Sequence, residues 1–159
     1  MTSPKFTFAL VAAMLCIGTE SRPCADGDVI TLVSRAGGKF SGHVLDSNFE
    51  GIVYMHVFNN GDWQKYIALS RGGVDYSLKS IKTGRLLDIN GTEVITSVDQ
   101  GTQSQIWTQV FEERFDSHYF FLENKSNGMV LAPKDNYRLE VQPKTGSYTQ
   151  MWFSFSAQC

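Results

Sequence analysis

The sequence predicts an all-β chain built from three copies of one unit. Three observations carry that prediction: a recurring Gln-x-aromatic signature, a glycine at nearly constant distance upstream of it, and short β-prone runs separated by turn residues. The signature reads Gln105-Ile106-Trp107 in the middle copy, Gln150-Met151-Trp152 in the last and, blurred, Gln64-Lys65-Tyr66 in the first. Gly84 lies 21 residues before Gln105, Gly128 lies 22 before Gln150 and Gly42 lies 22 before Gln64. A leucine six residues before the glycine recurs as Leu78 and Leu122; the first-copy match, Leu32, is ten before Gly42, which predicts a longer loop there. Self-similarity at a fixed period marks supersecondary units that bury their apolar faces only against one another.

The elements follow in order. Lys5, the 12-residue apolar run Phe6 to Ile17 and the small residues Gly18 and Ser21 have the layout of a secretory signal peptide, too short for a membrane span. Residues 1–21 are therefore expected to be removed, with cleavage after Gly18 or Ser21, leaving 22–159 as one secreted, extracellular domain. Within it the repeats are read as residues 28–70, 74–113 and 117–157. Runs at Val29–Ser34, Ile52–Phe58, Tyr66–Leu69, Tyr76–Ile81, Glu93–Val98, Trp107–Phe111, Tyr119–Glu123 and Met151–Phe155 are rich in Val, Ile, Phe, Tyr and Thr, which suit a pleated, half-buried surface. Gly37-Gly38, Asn59-Asn60-Gly61-Asp62, Arg71-Gly72-Gly73, Asn90-Gly91 and Ser126-Asn127-Gly128 punctuate them as turns. The reading is about 12 short strands, about four to a copy. Closing them on themselves removes free edges, and three such copies about a pseudo-threefold axis make a β-trefoil.

The signature residues take roles from this geometry. Trp107, Trp152 and Tyr66 are expected to point inward where copies meet, each burying about 150–250 Å². Each glutamine stands two residues earlier and shares that side of a regular strand, provided it finds hydrogen-bond partners; a bulge would turn it out. Gly84 and Gly128 are expected in turns that need positive φ.

Charge and composition exclude several classes. The net charge of −2, with scattered lysines and arginines, gives no general pull toward nucleic acid or anionic lipid. His43, His56 and His118 are too dispersed for a metal cluster, and no catalytic elbow, phosphate loop or zinc-protease motif is present. No cofactor, no metal and no enzymatic activity are expected. Cys16 leaves with the leader, and an oxidising compartment favours pairing Cys24 with Cys159; two free thiols, or pairing with another chain, are the alternatives. Asn90-Gly91-Thr92 and Asn124-Lys125-Ser126 are candidate N-glycosylation sites on surface loops.

The thrice-repeated Gln-x-aromatic closure, the upstream glycine and the Leu-Asp pair after it resemble the ricin-B-type (QxW) β-trefoil lectin family, over the whole mature chain. The resemblance implies sugar sites built on an aspartate four residues after the glycine, an aromatic shelf further on, and polar groups at or before the glutamine. A carboxylate accepts hydrogen bonds from adjacent sugar hydroxyls, and an aromatic face covers the C–H side of the ring. Copy by copy, Asp46 in the first and Asp88 in the middle match the aspartate, and Ala132 replaces it in the last. The implied carbohydrate-binding set is Asp46, Asn48, Tyr54 (or His56 as shelf), Trp63 and Gln64 in the first copy, with Asp88 and Gln105 in the middle one. Aspartates spent on backbone or turned inward would remove this reading. The function expected is a monomeric lectin for a short or terminal glycan. The alternative is a trefoil with degenerate sugar sites that binds a secreted or cell-surface protein, with Trp63 as a contact.

Overall fold

A computed structural model describes residues 24–116 and 118–156. The expected leader and Cys159 lie outside them. Twelve strands form one continuous sheet. The first copy holds β1 (Val29–Ser34), β2 (His43–Ser47), β3 (Val53–Val57) and β4 (Tyr66–Gly72). The middle copy holds β5 (Asp75–Ser80), β6 (Leu86–Asn90), β7 (Glu93–Ser97) and β8 (Trp107–Val110). The last holds β9 (Phe121–Asn124), β10 (Val130–Pro133), β11 (Leu139–Gln142) and β12 (Trp152–Ser156).

The first and fourth strands of each copy close a barrel. β1 pairs with β12 and β4, β5 with β4 and β8, and β9 with β8. A bridge from Phe120 to Trp152 completes the ring. The hairpins β2–β3, β6–β7 and β10–β11 cover one end, meeting through Ile52 with Ile95, Glu93 with Glu140, and Arg138 with Tyr54. These are the same two positions in each copy, so the pseudo-threefold axis is present in the register itself. This topology is the β-trefoil, and closure leaves the barrel without an unpaired edge.

The signature aromatics sit where inward packing requires them. Tyr66, Trp107 and Trp152 are fully buried, opposite Ile30, Tyr76 and Phe120 respectively. Leu32, Leu78 and Leu122 join them in the core. The Trp107 indole donates to the Leu87 carbonyl and that of Trp152 to the Leu131 carbonyl, each at 3.0 Å. The first copy has no such bond: the Tyr66 hydroxyl is buried without a partner, as are Ser47 Oγ and Thr31 Oγ1. Burial pushes the Tyr66 phenol far above its ordinary pKa, against a smaller lowering from the neighbouring Ser47 hydroxyl.

Two expectations need correction. The glutamines face inward, but not along a regular strand: Gln64, Gln105 and Gln150 each end a three-residue 3-10 turn just before the last strand of the copy. Asn124 is not on a surface loop. It is fully buried at the end of β9, donating from Nδ2 to the Ser104 carbonyl at 2.8 Å while Oδ1 accepts from Ser126 N and Oγ. A glycan on that nitrogen is incompatible with this packing. The turn glycines behave as read, with Gly42, Gly84 and Gly128 at φ of 74°, 70° and 70°. The longer first-copy loop contains an additional 3-10 turn, Gly38–Phe40.

Where copies adjoin, the three seams are closed differently, the first two at related positions. Arg71, near the end of β4, approaches Asp99 at 3.8 Å, and Glu112, beyond β8, meets Lys144 at 2.9 Å with the charges exchanged. The last copy meets the first through Phe58, edge-on to Phe155 with ring centroids 5.4 Å apart.

Candidate functional site

Register assembles the first-copy site. In the β2–β3 hairpin Asp46 lies opposite Tyr54, and Val44 opposite His56. Alternation puts Tyr54 and His56 on one face, with Asp46 beside Tyr54 on the same face. The two rings stand edge to face at 6.2 Å, and His56 Nδ1 is 3.7 Å from Asp46 Oδ2. Burial, and then the charge of Asp46, raise the Tyr54 phenol above its ordinary pKa. Asp46 Oδ1 accepts from Ser47 N at 2.7 Å, and Oδ2 accepts from Gln64 Nε2 at 2.9 Å. Gln64 also donates to the Val57 carbonyl at 3.0 Å and accepts from Asn59 N at 2.9 Å. The glutamine is thus the rivet of a loop, fully buried, and not a group that meets solvent.

The middle copy repeats the rivet and closes it further. Asp88 lies opposite Ile95, and Leu86 opposite Ser97. Asp88 Oδ1 accepts from Ile89 N at 2.7 Å; Oδ2 accepts from Ser97 Oγ at 2.5 Å and from Gln105 Nε2 at 3.2 Å. Gln105 also donates to Ser97 Oγ and to the Val98 carbonyl, each at 2.7 Å, and accepts from Gln100 N at 2.9 Å. In the last copy Ala132 lies opposite Glu140, and Val130 opposite Gln142. There Gln150 donates to the Pro143 carbonyl at 3.0 Å and leans on Gln142 Oε1 at 3.4 Å. The Gln142 amide, and then burial-opposed pairing with Lys134, hold Glu140 below its ordinary pKa.

An ionised carboxylate offers about four lone-pair sites. Asp88 has three donors on it and Ile95 where the first copy has an aromatic ring. Asp46 has two donors at full hydrogen-bond distance. Beside it stand the exposed His56 and the Tyr54 phenol, whose pKa burial raises and the carboxylate raises further, by its charge and by hydrogen bonding. Only 3 % of Asp46 is open to solvent, so any partner must reach it past those rings. Both aspartates meet the criterion in that each is almost fully buried, at 3 % for Asp46 and 5 % for Asp88, and spends Oδ1 on the next backbone amide; they differ in the donors on Oδ2.

The remaining expected residues lie elsewhere. Asn48 Oδ1 accepts from Glu50 N at 3.1 Å and Ile52 N at 2.9 Å, a turn-forming role that faces away from ligand chemistry. Trp63 packs edge-on against Phe49 at 4.5 Å, with Lys82 Nζ 5.8 Å from its ring centre. Asn90 is exposed at the end of β6. The position of His56 was within reach of the sequence: His56, Ser97 and Gln142 each lie eight residues before their glutamine.

A cavity of about 50 Å³ between the first two copies is lined by Arg71, Ser77, Asp99 and Thr102 among others. That is far below the roughly 300–1,000 Å³ of a typical ligand pocket, and neither Asp46, Tyr54 nor His56 lines it. Among the described residues no His, Cys, Asp and Glu group is arranged to hold a metal ion, and no helix is long and apolar enough to cross a membrane.

No protein-family model and no curated protein matches the sequence. Solved structures do match. The designed three-fold symmetric protein ThreeFoil superposes with TM-score 0.71 at 22% identity, over 80% of this chain and 98% of that one. The BEL β-trefoil gives 0.71 at 20%, over 85% and 97%. The exo-β-1,3-galactanase 1,3Gal43A from Clostridium thermocellum gives 0.69 at 19%, over 81% of this chain and 30% of that one. At such identities the likeness speaks for fold alone, and it agrees with the register: the chain is a β-trefoil.

Proposed function

We propose that the chain is a carbohydrate-binding β-trefoil with one working site, in the first copy. The observation that carries this reading is the open acceptor capacity of Asp46 beside Tyr54 and His56, against the closed carboxylate of Asp88. Two adjacent sugar hydroxyls donate to the free lone pairs of Asp46, His56 supplies a further polar contact, and the Tyr54 ring covers C–H groups. A galactanase among the structures of like fold is in keeping with saccharide recognition. The site is shallow and must displace water, so binding is weak per site and strengthens with clustered glycans. Titration with simple galactosides and a glycan array test the reading. Binding is expected in the wild type and absent in Asp46→Ala; binding unchanged by that substitution rejects the site.

The chain is further proposed to be secreted as a monomer after loss of residues 1–21, without enzymatic activity, and with a glycan confined to Asn90. Cys24 Sγ lies 4.0 Å from Ser154 Oγ, on the strand that leads toward Cys159, in keeping with a link between the chain ends. Intact mass of secreted protein, with and without reduction, tests the cleavage, the glycan and the Cys24–Cys159 bond together.

A further inference from the structure

On a different face, the β2–β3 hairpin lifts an aromatic side chain into solvent. Phe49, at its tip, is 68 % exposed, with Trp63 packed edge-on against it and Ile81 also exposed at 37 %. Cations surround the pair: Lys82 Nζ sits 5.8 Å from the Trp63 ring centre, and Arg85 Nη1 donates to the Phe49 carbonyl at 3.3 Å. The charge here is uncompensated. Among the described residues, every lysine and arginine has a carboxylate within 4.0 Å except Arg35, Lys79, Lys82 and Arg85. Three of those four fall in the short segment 79–85, which brings Lys82 and Arg85 to the aromatic pair. The nearby acids are Glu50, exposed on the same tip, and Asp62, held by Lys65 at 3.8 Å. Among the described residues, a protein with a net charge of −2 thus brings unpaired positive charge to its most exposed aromatic.

We infer that this patch docks the protein on an anionic lipid surface, with Phe49 entering the headgroup layer and Lys79, Lys82 and Arg85 against lipid oxyanions. Charge complementarity selects an anionic partner. The shape selects a bilayer: a projecting phenylalanine needs a matching pocket on a protein, whereas headgroups part around it. A free anion would use the cations and leave Phe49 in water. Nothing in this inference depends on the sugar site.

The probe is large vesicles of phosphatidylcholine with about one-third phosphatidylserine, compared with phosphatidylcholine alone, at low salt. Of the three tryptophans, Trp107 and Trp152 are fully buried, so a shift in emission reports Trp63. The wild type is expected to co-sediment with the anionic vesicles, shift its emission to the blue, and come off at about 0.5 M salt. Phe49→Ser is expected to weaken binding about tenfold through lost apolar burial. Lys82→Glu is expected to weaken it at least about tenfold, since each cation near such a surface is worth about fivefold. Both side chains are exposed, so unchanged melting confirms intact variants, and Asp46→Ala is expected to bind vesicles like the wild type. The inference is overturned if the wild type ignores anionic vesicles, if it binds neutral ones equally, or if neither patch variant weakens binding. Capture by soluble polyglutamate without vesicle binding also overturns it, in favour of an acidic protein partner.

Discussion

The carboxylate of Asp46 in the first copy receives two hydrogen bonds, that of Asp88 in the middle copy three, and the residue eight before each glutamine makes the difference. Ser97 is small enough to turn its hydroxyl onto Asp88 and to accept from Gln105 in the same motion. His56 is too large to fold in and stays at the surface, 3.7 Å away. One backbone scaffold therefore holds two equally buried carboxylates that differ in the donors a single side chain supplies. The aromatic that follows each glutamine differs too. Trp107 spends its polar atom on the Leu87 carbonyl, whereas the Tyr66 hydroxyl finds nothing. The middle copy is the better satisfied of the two, and the first keeps unspent polar capacity both in its core and at its surface.

Four measurements sharpen or break this contrast. The largest difference lies in the core. Trp107→Phe removes a donor from a buried carbonyl and leaves a void, at a cost of about 3 kcal/mol. Tyr66→Phe removes a hydroxyl that has no partner and is expected to raise stability by about 1 kcal/mol. Urea unfolding of the two variants reads the opposite signs; a comparable loss in both would show that Tyr66 is satisfied in solution.

Next comes exchange of the deciding side chain. His56→Ser is expected to seal Asp46 and weaken galactoside binding at least about tenfold, or about 1.4 kcal/mol. Ser97→His frees an acceptor on Asp88 but leaves Ile95 where a ring is needed, so little binding is gained. Isothermal titration of each variant decides, and wild-type affinity in His56→Ser would uncouple the clamp from recognition.

A smaller gap is expected between the aspartates themselves. Asp46→Ala strands Ser47 N and one N–H of Gln64, whereas in Asp88→Ala Gln105 and Ser97 keep other acceptors and only Ile89 N is stranded, so the former is expected to be the more destabilising by about 1 kcal/mol. Equal melting curves would contradict the hydrogen-bond inventory.

The smallest effect is one of pH. Asp75 on β5 is held below its ordinary pKa, first by the Lys125 hydrogen bond and then by Thr108. A lowered folded pKa contributes stability that is fully present above the ordinary aspartate range and is lost as pH falls through the folded value. Asp75→Asn is expected to flatten that part of the acid-unfolding curve, while the neutral-pH midpoint changes little because the pair is solvent-screened. An acid limb of undiminished slope would assign the sensitivity to other carboxylates.

Much of the fold was legible because its periodicity is carried by bulky residues. Gln-x-aromatic, glycine and leucine recur at spacings that barrel closure enforces, and the eight runs read as strands coincide with observed strands to within one or two residues at most ends. The strands not read, β2, β6, β10 and β11, are short. The first two carry an aspartate that breaks the apolar run, and only the buried clamp explains why a carboxylate belongs there. The inward turn of the glutamines was right for a mistaken reason: a 3-10 turn, not strand alternation, sends Gln64 inside. Asn124 misled because a sequon reads as surface while the same amide is an equally good buried connector. At the site, the choice between Tyr54 and His56 is resolved by register, which brings both rings to Asp46. Nothing in the spacing said that Trp63 would turn instead toward Phe49.

The three clasps between neighbours carry a consequence for assembly. Arg71 with Asp99, Glu112 with Lys144, and Phe58 with Phe155 are mutually incompatible closures. Each module thus bears a different pairing group on each flank, and the charged seams favour their native neighbours by up to about 1 kcal/mol apiece. Separated fragments would favour their native succession over duplicates of themselves, and a chain made of any one module in triplicate would meet like charges, or unmatched ones, at every seam.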